Sequence, residues 1–68
     1  MKLTYDKEVD TAYIYMQYPI KDGECKTTKE IDENIIVDFN AEGKIIGVEI
    51  LNASKVLDKK VMQEAVPA

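Results

Sequence analysis

Asn34–Leu51, NIIVDFNAEGKIIGVEIL, is the stretch whose reading decides the fold. Asn40-Ala41-Glu42-Gly43 fits a type I turn ending in a left-handed residue, a conformation glycine adopts without steric cost. With Ala41, Glu42 and Gly43 as the loop, Asn40 stands opposite Lys44. Counting outward pairs Phe39 with Ile45, Val37 with Gly47 and Ile35 with Glu49. Side chains alternate along a strand, so the hairpin has two distinct faces. One then carries Ile35, Val37, Phe39 and Ile45. The other carries Ile36, Ile46, Val48 and Ile50. In this register Asp38 and Glu49 point to opposite faces. Gly47 in mid-strand marks either a bulge, the simpler reading, or a place where another group packs onto bare backbone. A half-solvated antiparallel sheet would alternate cleanly between polar and apolar. Two apolar faces require two covers.

The rest of the chain offers one. Lys2–Asp6 reads as a strand, with Leu3 and Tyr5 on one face. Thr11–Gln17 reads as a second, with Ala12, Ile14 and Met16 opposed to Tyr13 and Tyr15, and Pro19 ends it. Lys21-Asp22-Gly23 is a turn. Glu24–Ile31 is polar and lysine-bearing, as suits a protected edge strand. After Leu51 a helix is expected over Lys55–Glu64, capped by Ser54, with Leu57, Val61 and Ala65 in one stripe and Met62 beside it. Asp58 is an alternative cap, which would leave Ser54–Leu57 as a separate turn. The expected fold is α+β, one domain over residues 1–68: an antiparallel meander of four or five strands with one C-terminal helix on a sheet face.

Composition narrows the function. The 68 residues are 46% hydrophobic and 32% charged, as in a globular chain. Ordering costs roughly 1.5 kcal/mol per residue, which a core this small barely offsets. With one Cys and no His, intramolecular disulfides, imidazole metal sites and His-based triads are excluded. Oligomerisation is the stabilising device left. A lone Cys25 indicates a reducing compartment, and no apolar run reaches the length of a membrane span, so a cytoplasmic location is expected. A net charge of −4 and the absence of arginine argue against nucleic acid and anionic membranes.

Two stretches, YDKEVDTAYIYM (residues 5–16) and EIDENIIVDFNAEGKIIGVEILNASKVL (residues 30–57), resemble domain of unknown function family 2283, a set of small bacterial and archaeal proteins. The likeness covers most of the chain; the neighbourhood of Cys25 is its least typical part. Relatives often carry a proline where Asp58 stands, which implies a helix start there. The family carries no established activity, so the resemblance supplies no catalytic residues. It does imply an antitoxin-like, partner-binding alternative.

No catalytic group, cofactor or metal is expected. Cys25 lies beside Lys26, but no base accompanies it. Asp6 and Asp10 bracket the first turn and are read as bonding its backbone; with Tyr5, Tyr13, Tyr15 and Tyr18 they also make the alternative of a small ligand- or cation-binding site. The reading preferred is a homodimeric protein-interaction module. Its interface is Ile35, Val37 and Ile45, or else Ile36, Ile46, Val48 and Ile50, depending on which face the helix takes.

Overall fold

A computed structural model describes residues 1–68. Five strands form a mixed sheet with a short sixth: β1 (Lys2–Asp6), β2 (Thr11–Tyr15), β3 (Thr27–Asp32), β4 (Ile35–Phe39), β5 (Ile45–Leu51) and β6 (Val66–Pro67). Two four-residue helices, α1 (Ala53–Val56) and α2 (Lys59–Met62), lie between β5 and β6. The strand order is β3-β4-β5-β2-β1-β6. The first five strands pair antiparallel, while β6 runs parallel to β1, with Thr4 beside Val66 and Tyr5 beside Pro67. The α+β class stands, but the sheet is not a meander: β2 pairs with β5 and not with β3, there are six strands, one of them parallel, and there are two helices.

The long hairpin turns as expected. Gly43 has φ 78°, its N–H donates to the Asn40 carbonyl at 3.0 Å, and Asn40 N–H donates to the Lys44 carbonyl at 2.9 Å. The Asn40 side-chain oxygen accepts from the N–H groups of Glu42 (3.1 Å) and Lys44 (2.9 Å). Phe39 opposes Ile45. One residue later the expected register fails. Asp38 opposes Gly47, Val37 opposes Val48, Ile36 opposes Glu49 and Ile35 opposes Ile50. Ile46 is an extra residue in β5, a bulge that moves every later side chain by one place. Its carbonyl accepts from both Met16 N–H (3.0 Å) and Gln17 N–H (3.2 Å), so the end of β2 holds the kink.

The bulge corrects the expectation of two apolar faces. Row by row, one face reads Lys29-Val37-Val48-Ile14-Leu3 and Ile35-Ile50-Ala12-Tyr5 across β3, β4, β5, β2 and β1. The opposite face reads Glu30-Ile36-Glu49-Tyr13-Thr4 and Thr28-Asp38-Gly47-Tyr15-Lys2. Ile35, Val37, Val48 and Ile50 therefore share a face; Ile36 alone of the expected interface residues lies with the carboxylates and tyrosines. Asp38 and Glu49, expected on opposite faces, lie on the same one.

The helical segment packs on the first, apolar face. Ala12, Ile50 and Ala53 form its centre, flanked by Leu3, Tyr5, Ile14, Ile35, Val48, Leu57 and Met62. Ala12 and Ala53 have no exposed surface, because two methyl side chains let α1 approach the sheet closely. The single helix over Lys55–Glu64 is split: Leu57 (ψ 142°) and Asp58 (ψ 144°) are both extended. The Asp58 carbonyl then accepts from Val61 N–H (2.9 Å) and Met62 N–H (3.0 Å). Asp58, not Ser54, stands at the start of α2, and Leu57 and Met62 reach the sheet while Val61 stays 41% exposed. β3 is exposed throughout and carries Lys29, Glu30 and Asp32 at the sheet edge, which discourages further pairing.

A Cβ at Gly43 would meet no atom within 4 Å, so any cost of substitution there is conformational. Gly43→Val is expected to destabilise by about 1–2 kcal/mol in chemical denaturation, since a β-branched residue resists the left-handed region. An unchanged midpoint would mean the turn tolerates another conformation.

Candidate functional site

The face opposite the helices holds the polar chemistry. Tyr13 projects from β2 and leans across β5 to β4, where its hydroxyl donates to Asp38 Oδ2 at 2.5 Å. The route is open because Gly47 lies beneath the ring: a Cβ there would sit 2.5 Å from Tyr13 Cζ and closer still to Oη. Both readings of Gly47 therefore apply, as it adjoins the bulge and admits a close approach. Thr28 Oγ1 donates to the other Asp38 oxygen at 2.8 Å, and Cys25 Sγ stands 3.5 Å from Thr28 Oγ1. Burial, and then the Asp38 hydrogen bond, raise the Tyr13 pKa well above the ordinary phenol value. Tyr13 stays a protonated donor at any physiological pH, a fixed strut between strands and no general base.

Tyr13 and Tyr15 rings lie 4.6 Å apart between centres at 54°, and Tyr15 meets Tyr18 edge-on at 5.1 Å. Tyr18 follows β2 in the connection to β3 and folds back onto this row, 56% exposed. Lys2 Nζ lies over the Tyr18 ring, 4.1 Å from its centre. In the same connection, Glu24 accepts from Lys21 N–H (2.8 Å) and Gln17 Nε2 (2.8 Å). These two bonds, the backbone one first, hold its carboxyl below the usual range.

Asp6 and Asp10 do different work from each other. Asp6 Oδ1 accepts from Glu8 N–H at 3.0 Å within the turn, as expected. Asp10, with φ 54°, reaches across the fold. Its Oδ1 accepts from Tyr5 Oη (2.7 Å) and Ser54 N–H (2.9 Å), its Oδ2 accepts from Ser54 Oγ (2.7 Å), and its carbonyl accepts from Ala53 N–H (2.9 Å). The β1–β2 turn is thereby pinned to the start of α1. Asn52, also left-handed at φ 53°, donates from Nδ2 to Asn34 Oδ1 at 2.9 Å, and ties the same corner to the start of β4. With three donors on its two oxygens, Asp10 clamps the first turn to α1. Ser54 had been expected to cap its own helix; its hydroxyl serves Asp10 instead, a pairing 44 residues apart that no local pattern signals.

Two open grooves flank α2. One of ≈ 280 Å³ is lined by Tyr5, Lys7, Met62, Ala65, Val66 and Pro67; the other, of ≈ 380 Å³, by Met1, Lys2, Leu3, Ile14, Val61 and Glu64. Both are mainly apolar; the first adds Tyr5 and Lys7, the second Lys2 and Glu64. No helix is long and apolar enough to cross a membrane.

The sheet, its long bulged hairpin and the Tyr5–Asp10–Ser54 clamp define a small α+β domain whose matched pattern runs from β1 to the first turn of α1. Residues 2–54 match the model of the protein family of unknown function DUF2283, and the chain belongs to that family. It is 39% identical over 59 residues to the uncharacterised protein MJ0789 of Methanocaldococcus jannaschii, a match that takes in 85% of this chain and 46% of the relative. The chain thus spans about half the length of the curated relative it matches. No solved structure matches it.

Two predictions arise from this geometry. Gly47→Ala is expected to displace the Tyr13 ring and cost about 1–3 kcal/mol, the usual range for overpacking. Loss of the near-ultraviolet tyrosine signal would accompany it, and an unchanged spectrum would contradict the close approach. For Asp10, the Ser54 hydroxyl first, then the Tyr5 phenol and the Ser54 N–H, lower the carboxyl pKa from its ordinary 3.8. A depressed folded-state value stabilises the fold above pH 3.8, and that contribution is lost as pH falls through the lower value. Asp10→Asn should therefore lower the melting temperature at neutral pH and flatten its decline towards about pH 2. Parallel curves for the two proteins would show that the clamp is not charge-dependent.

Proposed function

We propose that this chain is a small, non-catalytic interaction module that pairs with a second copy of itself through its helix-bearing face. One observation carries the reading: the buried apolar residues of the single chain are Ala12, Val37, Ile46, Ile50 and Ala53, and no large side chain is fully buried. Fully burying one aliphatic side chain contributes about 1.5–3 kcal/mol, so a core this thin leaves much of a small domain's stability to be gained from outside. The helices cover the β1–β2–β5 part of the face. Towards the β3–β4 edge, Val37 and Phe39 lie outside the central cluster, and Ile45, opposite Phe39, is 51% exposed.

A self-complementary apolar patch is most simply buried by a two-fold dimer. The interface assigned centres on Ile45 with the half-buried Ile35, Phe39 and Val48 beside it; it joins residues of both sets expected from the sequence, leaves out Ile36 on the other face and leaves out Val37, which the single chain already buries. Open apolar grooves without a converging polar group favour docking over catalysis. The exposed thiol of Cys25 suits a reducing, cytoplasmic setting.

Sedimentation at high micromolar concentration should give a dimer. Ile45→Lys should yield a folded monomer, because Ile45 is already half-exposed in the single chain. Ile36→Lys, on the opposite face, should leave the dimer intact. A folded wild-type monomer at that concentration, or dissociation by Ile36→Lys with Ile45→Lys still dimeric, would overturn the assignment.

A further inference from the structure

The face that the dimer leaves free has its own character. Neither helix packs on it, since Ala53, Leu57 and Met62 all join the opposite cluster. By register it presents Asp6, Glu30, Asp38 and Glu49 against a single cation, Lys2. Asp38 is committed to Tyr13 and Thr28. Glu49 is not so placed: its cross-strand neighbours are Tyr13 and Ile36, neither of which neutralises it. Beside it runs the row Tyr13, Tyr15 and Tyr18, rigid aromatic side chains of the kind that anchor protein interfaces.

Lys2 supplies an independent observation. Its ammonium sits 4.1 Å over the Tyr18 ring, so this row already holds a cation, one supplied from within the chain. An ammonium or guanidinium over a tyrosine face is attracted by the ring quadrupole, and guanidinium stacks better because it is planar and weakly hydrated. The chain has no arginine to offer. A sheet face with aromatic rings beside an unpaired carboxylate suits a basic segment lying across it.

We infer that the tyrosine face docks an arginine-bearing basic segment of a partner protein, with a guanidinium replacing Lys2 over Tyr18 and another cation reaching Glu49. This goes beyond self-association, because it uses the other side of the sheet. Charge complementarity steers the encounter and the tyrosines supply the contact area.

The test is titration of the isotope-labelled full chain, followed by amide shifts, with a short oligo-arginine peptide at physiological salt. An oligo-lysine peptide of equal length, an oligo-glutamate peptide and a single-stranded oligonucleotide are the comparisons. Shifts should concentrate at Tyr13, Tyr15, Tyr18, Ile36 and Glu49, with arginine bound more tightly than lysine and neither anion bound. Tyr18→Leu and Glu49→Gln should each weaken binding by about two- to fivefold, the range of an exposed cation–π or ion-pair contact. Lys2→Ala should tighten it, since it removes the competing cation; a merely structural role for Lys2 predicts no such gain. Shifts spread over Asp22, Asp58 and Glu64, equal affinities for all three variants and the wild type, or preferential binding of the oligonucleotide would overturn the inference. Dimerisation is read separately by sedimentation, so failure here and failure of the self-association reading are distinguishable.

Discussion

One extra residue in β5 governs the chemistry of both faces. With Ile46 bulged out of register, Val48 and Ile50 fall in line with Val37 and Ile35, and Glu49 falls in line with Ile36. Without it, each of these side chains would stand on the other side of the sheet relative to β4, and neither face could be mainly apolar or mainly polar. The bulge survives because its backbone is satisfied elsewhere: two consecutive N–H groups at the end of β2 converge on the Ile46 carbonyl. The next residue, Gly47, lacks the side chain that would block Tyr13, so the same irregularity makes room for the strut between Tyr13 and Asp38.

Segregating the faces solves one problem and sharpens another. A sheet apolar on both sides would need two layers of cover, which 68 residues cannot supply. A sheet apolar on one side needs one layer, and the chain provides it with two helices of four residues and an alanine-on-alanine contact. Helices that short have no stability of their own. They persist because Asp10 binds the first turn of α1 and because Leu57 and Met62 reach the sheet. The cover is real but narrow, which is why apolar grooves remain on both sides of α2.

Much of this was legible in the residues, and the failures have physical causes. The Gly43 turn and the polar edge of β3 are local, and local chemistry reads directly from sequence; the pairing of β2 with β5 is not local, and the expected meander missed it. The opposed sets Ala12/Ile14 and Tyr13/Tyr15 also hold, because β2 runs without irregularity. The hairpin faces failed at a single place. A bulge leaves no compositional trace beyond a mid-strand glycine, and a one-residue slip inverts every later assignment. The unbroken alternation of isoleucine and valine on both sides of the apparent register was itself the signal, since a regular hairpin in that register conflicts with the amount of cover available. The single helix failed for a different reason: a stripe of Leu57, Val61 and Ala65 is compatible with one helix or with two, and only the extended pair Leu57–Asp58 decides between them.

The clamp at Asp10 shows where the structural unit closes. Tyr5, Asp10 and Ser54 come from β1, the first turn and α1, and the family match ends at residue 54, the clamp's last member. Inside that boundary the chain forms the five principal strands, both faces and the corner that locks them. Outside it lie half of α1, all of α2 and β6, most of the segment that covers the apolar face. The matched pattern therefore specifies a sheet with an apolar side but not the layer that shields it. The relative from Methanocaldococcus jannaschii has more than half its length outside the match, so chain beyond the shared unit is available there. In the present chain residues 55–68 supply part of that layer through Leu57 and Met62, and towards the β3–β4 edge Ile45 stays half-exposed.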